Sequence, residues 1–117
     1  MHEFGLTEAI AATVLERAGG RPVARVRVRM SALLRAEEDS MRQSFEMLGT
    51  GNGLQGAVLE LETIPAVGRC GMCDRQVEIA DRLDPCPECG EHAVGVSESE
   101  EMILEEIEYR PEHGGGG

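Results

Sequence analysis

The chain has 117 residues, room for one ordinary domain or for a small domain plus a metal-stapled module. Its 22 Asp and Glu face 11 Arg and no Lys, giving a formal net charge of −11, and Phe4, Phe45 and Tyr109 are its aromatic residues. That balance excludes nucleic acid, which needs clustered positive charge and stacking platforms, and no apolar run approaches the roughly 20 residues of a membrane span.

Met1-His2-Glu3 lacks the basic region and continuous apolar run of a signal peptide, so the expectation is a cytoplasmic protein. From Leu6 to Ala18 the apolar positions Leu6, Ile10 and Val14, with Ala9 and Leu15 beside them, predict a helix that Gly19-Gly20 and Pro22 end. Alternation then predicts a half-buried strand, with Val26, Val28 and Met30 inward and Arg25, Arg27 and Arg29 outward. A second helix is expected over Ala36 to Leu48. Met41, Phe45 and Leu48 share a face, and Glu37, Glu38 and Asp39 lie in the first turn, where the helix dipole favours acids. Gly49 to Gly53 reads as a loop. Ala57 to Thr63 alternates again, with Leu59 and Leu61 on one face and Glu60 and Glu62 on the other. An Arg25/Arg27/Arg29 row beside Glu60/Glu62 predicts adjacent pairing of the two strands and gives the arginines a structural role.

Residues 67–97 differ in character, with all four cysteines and few large apolar groups. So short a segment cannot build a sufficient core, so a metal must carry its fold. Met102 to Tyr109 predicts a late strand with Ile103, Ile107 and Tyr109 inward. The fold class expected is α+β: two helices packed on a three-stranded sheet, with an inserted four-cysteine, zinc-ribbon-like module. Residues 1–66 and 98–111 would form the discontinuous α+β domain, 67–97 the module, and 112–117 a flexible Gly-rich tail.

Cys70, Cys73, Cys86 and Cys89 form two CxxC pairs separated by twelve residues. In a reducing compartment this spacing points to one shared metal. Two residues between thiolates let one tight turn present both sulfurs, and four thiolates fill a tetrahedral zinc with no position left for substrate. The site is therefore expected to be structural. Rubredoxin-like iron uses similar knuckles but finds no aromatic shell here. A thiol oxidoreductase needs a free thiol, which metal-bound cysteines do not offer.

His2 is too large for efficient removal of the initiator Met, so Met1 is expected to keep a free α-amine. That amine, the His2 amide nitrogen and imidazole, and the Glu3 amide nitrogen form a planar nitrogen donor set, which suits Ni(II) or Cu(II) rather than zinc. The alternative is a solvent-exposed terminal histidine with no role.

Met1-His2-Glu3, the amphipathic helix after it, and the doubled CxxC together resemble the HypA/HybF family of hydrogenase maturation factors, over residues 1–110. Ser44-Phe45-Glu46 with Leu48, and Leu54-Gln55-Gly56-Ala57 leading into Leu59-Glu60-Leu61-Glu62, are similar to the family's central pattern. The resemblance implies a nickel metallochaperone and not an enzyme. Ni(II) would be held at Met1, His2 and Glu3, and a structural Zn(II) at Cys70, Cys73, Cys86 and Cys89. The implied partners are a nickel-handling maturation GTPase and the precursor of the [NiFe]-hydrogenase large subunit; some members also serve urease maturation. The chain departs from the pattern at Arg29-Met30-Ser31, where Gly is frequent, and at Asp74 and Gly90, where some members place His. His92 and His113 have no matching place and read as exposed or inert. The competing function is a zinc-ribbon interaction adaptor without nickel delivery.

Overall fold

Strand β1, Val23–Ser31, lies at the centre of a three-stranded sheet, between β2, Val58–Ile64, and β6, Met102–Tyr109. The computed structural model describes the backbone of residues 2–96 and 102–111 and the side chains of 3–96 and 102–111. The chain divides into two compact units. One is drawn from Met1–Val28, Ala36–Leu61 and Leu104–Gly117, the other from Arg29–Arg35 and Glu62–Ile103.

In the first unit, α1 spans His2–Ala18 and packs on α2, Glu38–Leu48. Helix α1 starts four residues before the expected Leu6, because the apolar stripe that marks a helix in sequence says nothing of a polar first turn. There Thr7 is fully buried and its hydroxyl donates to the Glu3 carbonyl at 2.7 Å. The buried stripe is Thr7, Ile10, Ala11, Val14 and Ala18; Leu6 and Leu15 are half-buried, and Ala9, expected inward, is exposed. Helix α2 begins later than expected. Glu37 is its N-cap, and its carboxylate accepts from the N–H groups of Asp39 at 3.2 Å and Ser40 at 2.7 Å. These bonds hold the Glu37 carboxyl below its ordinary range, the Ser40 N–H contributing most. Met41 and Phe45 are buried as the helical spacing predicts.

Alternation along β1 is as predicted, with Val26, Val28 and Met30 buried. The arginine row meets acids on both sides because β1 is central: Arg25 binds Glu60 at 3.0 Å and also Glu108, and Arg27 lies 3.7 Å from Glu106. In β6 the pattern slips by one residue at Glu105-Glu106, both exposed. Met102, Leu104, Ile107 and Tyr109 are half-buried, and Ile103, expected inward, is exposed.

The Gly49–Gly53 loop is tightly built. Leu54 at its end is buried, and Asn52 bonds both the Leu54 N–H at 2.8 Å and the Leu48 carbonyl at 2.8 Å. A Cβ on Gly49 would come within 2.8 Å of the Leu54 carbonyl oxygen, so only glycine fits there.

The second unit has its own antiparallel sheet, absent from the sequence expectation. Strand β3, Ala66–Cys70, lies between β4, Gln76–Ile79, and β5, Val94–Gly95. Its core is Leu33, Ala66, Cys70, Val77, Ile79 and Cys86. Leu33 belongs to a short 3-10 turn, Ala32–Leu34, capped by the Ser31 hydroxyl at 3.1 Å. Arg35 closes the turn at φ 53 and pairs with Asp81 at 3.1 Å. Among the described residues no helix is long and apolar enough to cross a membrane.

Candidate metal centre

Two turns of one design bring the cysteines together. In the first, the Cys70 N–H donates to the Arg75 carbonyl at 3.0 Å, and the Asp74 N–H returns to the Cys70 carbonyl at 2.9 Å. In the second, the Cys86 N–H donates to the Glu91 carbonyl at 2.8 Å, and the Gly90 N–H to the Cys86 carbonyl at 2.8 Å. The residue two after the first cysteine points its N–H at that sulfur in both: Met72 to Cys70 Sγ and Glu88 to Cys86 Sγ, each 3.4 Å. The spacing of the cysteines foretold a turn in each pair, but not the residues that lock it. Arg69 clamps the first from outside, its guanidinium donating to the Asp74 carbonyl at 2.8 Å. Exposed Arg-to-backbone bonds of this kind leave no trace in a sequence pattern.

The four sulfurs lie within 4.8 Å of one another. Cys70 Sγ stands 3.6 Å from Cys89 Sγ, and Cys73 Sγ 3.8 Å from Cys86 Sγ. Four thiolates held at about 2.3 Å around one tetrahedral ion are separated by about 3.8 Å, which the Cys70–Cys89 and Cys73–Cys86 separations match. Cys70 and Cys86 are buried, Cys73 is intermediate and Cys89 exposed.

The thiols differ in acidity. The N–H groups of Cys73 and Met72 hold Cys70 down to about 7. The Glu91 N–H favours the Cys89 thiolate, but desolvation and the sulfurs of Cys70, Cys86 and Cys73 outweigh it and push that thiol up to about 12. The Arg75 N–H acts the same way on Cys73 and is likewise overcome, by desolvation and the sulfurs of Cys70 and Cys86. A metal cation reverses these penalties, because it stabilises every thiolate at once and releases the protons. Among the described residues this is the one cluster of His, Cys, Asp or Glu suited to a metal; exposed His92 takes no part.

Of the expected nickel ligands, Met1 and the His2 side chain lie outside the described residues, as does His113. The His2 backbone begins α1. Glu3 lies in the first turn of α1, where the helical ladder does not use backbone N–H groups. Its carboxylate is engaged elsewhere, accepting from the Glu37 N–H at 3.1 Å.

Residues 1–109 match the family described as hydrogenase/urease nickel incorporation, metallochaperone, HypA. Hydrogenase maturation factor HypA 2 of Bradyrhizobium diazoefficiens is 36% identical over 111 residues, covering 92% of this chain and 98% of its own length. The HypA of Nostoc punctiforme is 36% identical over 108 residues, covering 92% and 95%. In fold, the chain is similar to the solution structure of the Ni metallochaperone HypA from Helicobacter pylori, with a TM-score of 0.62 at 20% identity, covering 96% of this chain and 100% of that one. A family match that begins at the first residue and runs through both cysteine turns leaves one assignment: the chain belongs to the HypA family of metallochaperones, which are not enzymes.

Proposed function

We propose that this protein carries Ni(II) as cargo at its N-terminus and delivers it during [NiFe]-hydrogenase maturation, while a resident Zn(II) holds the cysteine module together. The observation that carries the reading is the family match over 1–109, which takes in Met1-His2-Glu3 and all four cysteines. The two donor sets are chemically distinct. Four thiolates from Cys70, Cys73, Cys86 and Cys89 leave no open coordination position and suit a structural ion. The Met1 amine, the His2 imidazole and amide nitrogen and the Glu3 amide nitrogen suit a square-planar ion that is bound and released.

The unit that contains α1 and α2 is assigned the nickel role and the cysteine unit the zinc role. The boundaries expected from sequence, 1–66 with 98–111 against 67–97 and a 112–117 tail, differ from those of the two units, because residues 29–35 and 62–66 group with the cysteine unit. The recipients are the precursor of the hydrogenase large subunit and a nickel-handling GTPase, in the cytoplasm. Family members include urease nickel incorporation in their description, and a urease apoprotein pathway is a second destination for the same cargo.

The test is made in cells that depend on this chain for hydrogenase activity. His2→Ala is expected to remove nickel from the hydrogenase while the variant accumulates normally and keeps its zinc. Full hydrogenase nickel content with His2→Ala overturns the proposal.

A further inference from the structure

Strand β2 is an edge of its sheet: β1 is its one sheet neighbour among the described residues. Beside that edge runs a groove of about 580 Å³. Helix α2 supplies one wall through Phe45 and Glu46, and Gln55, Ala57, Val58 and Leu59 supply the other. Val58 is 55% exposed at the start of the strand, although valine in a sheet is normally covered. An edge strand next to a helix, with a groove between them, is the arrangement that receives an extended peptide as an added strand.

Charge selects the occupant. Residues 36–61 carry five carboxylates and one arginine, and that arginine, Arg42, is held by Glu38 and Asp39 at 3.1 Å each. Glu46, on the groove wall, makes no ion pair among the described residues. The inner neighbour of β2 shows what its acidic face accepts: β1 meets Glu60 with Arg25 at 3.0 Å. A second copy of this chain would set acid against acid, which is unfavourable across strands, and its net charge of −11 opposes self-association.

We propose that the groove between α2 and the β2 edge docks an extended segment of a protein partner in which aliphatic residues alternate with Arg or Lys. The segment adds to the sheet beside β2. Its aliphatic side chains enter the groove toward α2, and its basic side chains lie on the face of Val58 and Glu60. The sequence of β1 itself, Val26-Arg27-Val28-Arg29, has this alternation. The surface is read from α2, the loop and β2 alone, so it stands or falls separately from nickel binding at the N-terminus.

The test titrates the zinc-loaded full chain with a capped peptide of Val-Arg repeats about eight residues long, a usual strand length, followed by amide NMR. Shifts centred on residues 45–46 and 57–61 are expected, with affinity falling several-fold between about 50 and 500 mM salt. Val58→Lys and, independently, Glu46→Lys should each weaken binding about tenfold; both positions are exposed, so the fold is spared. N-methylation of all valine amides and of all arginine amides should give opposite results, because successive residues of a strand point their N–H groups to opposite edges. One series should lose binding and the other keep it. Shifts centred on Glu105, Glu106 and Glu108, equal binding of a Val-Glu peptide, or binding that survives both methylation patterns would overturn the proposal.

Discussion

Asp74 and Gly90 occupy the same place in two copies of one turn. Each follows the second cysteine of its pair, each returns its N–H to the carbonyl of the residue four back, and each is left-handed, with φ 58 and φ 81. Glycine adopts this conformation freely, and Asp is among the few other residues that tolerate it. A Cβ on Gly90 would meet nothing within 4 Å, so the demand there is conformational and not steric. Gly90→Val should therefore destabilise the cysteine unit by about 1–2 kcal/mol through φ alone. Asp74→Gly should change stability by less than about 0.5 kcal/mol, since released strain and added chain freedom oppose each other. Thermal unfolding of the zinc-loaded variants measures both.

Zinc removal should unfold one unit and spare the other. The cysteine unit buries Leu33, Ala66, Val77 and Ile79 beside two cysteines. That core is too small to stand alone, whereas structural zinc can supply on the order of 10–16 kcal/mol of apparent binding energy. Chelation, or Cys86→Ser, is expected to collapse the amide signals of 66–79 while those of α1 and α2 persist. A metal-free protein with an ordered β3–β4 pair would contradict the structural role. Elemental analysis should return one zinc per chain; iron with visible absorption would refute zinc.

Leu33 lies before α2 in sequence yet is part of the core of the cysteine unit. Leu33→Ala is expected to destabilise that unit by about 2–5 kcal/mol, the range for a buried leucine truncated to alanine. The readout is zinc retention against a competing chelator, which should fall in Leu33→Ala and not in the exposed control Leu83→Ala.

Glu37 sets a pH dependence. Its carboxyl is lowered in the folded state by the Ser40 N–H first and the Asp39 N–H after it. A lowered folded pKa gives stability that is present above the unfolded value and lost as pH falls through the folded one. Glu37→Gln should thus weaken α2 near neutral pH, and the difference from the parent should shrink as pH falls below about 4.3, the ordinary glutamate value. Circular dichroism melts across that range are the measurement.

The sequence was most legible where one periodicity governed a whole element. In β1 the inward Val26, Val28 and Met30 and the outward arginines follow from alternation alone, and β2 was located within one residue. The four cysteines, too, were readable as one cluster from their spacing. Legibility failed where side-chain bonds or long-range packing decide. The first turn of α1 depends on Thr7 donating to Glu3, and the start of α2 on Glu37 acting as a cap, a role glutamate seldom takes. The inward face of β6 was misjudged because two exposed glutamates shift its phase in mid-strand. Strands β3 to β5 are short and broken by turns, so no period establishes itself. Nothing local shows that Leu33 packs among residues more than thirty positions away.

In the proposed function the N-terminus, and not the cysteine cluster, holds the nickel cargo. Calorimetric titration of Ni(II) into zinc-loaded protein with a native N-terminus tests it, alongside His2→Ala and protein acetylated at the Met1 amine. Protons compete for the imidazole near about 6.5 and for the amine near about 7.7–8.0, so binding should weaken as pH falls below neutrality. One nickel per native chain is expected, with zinc undisplaced, and no tight nickel in either altered protein. Undiminished nickel affinity in His2→Ala and in the acetylated chain, or nickel that enters only by expelling zinc, would contradict the proposed function.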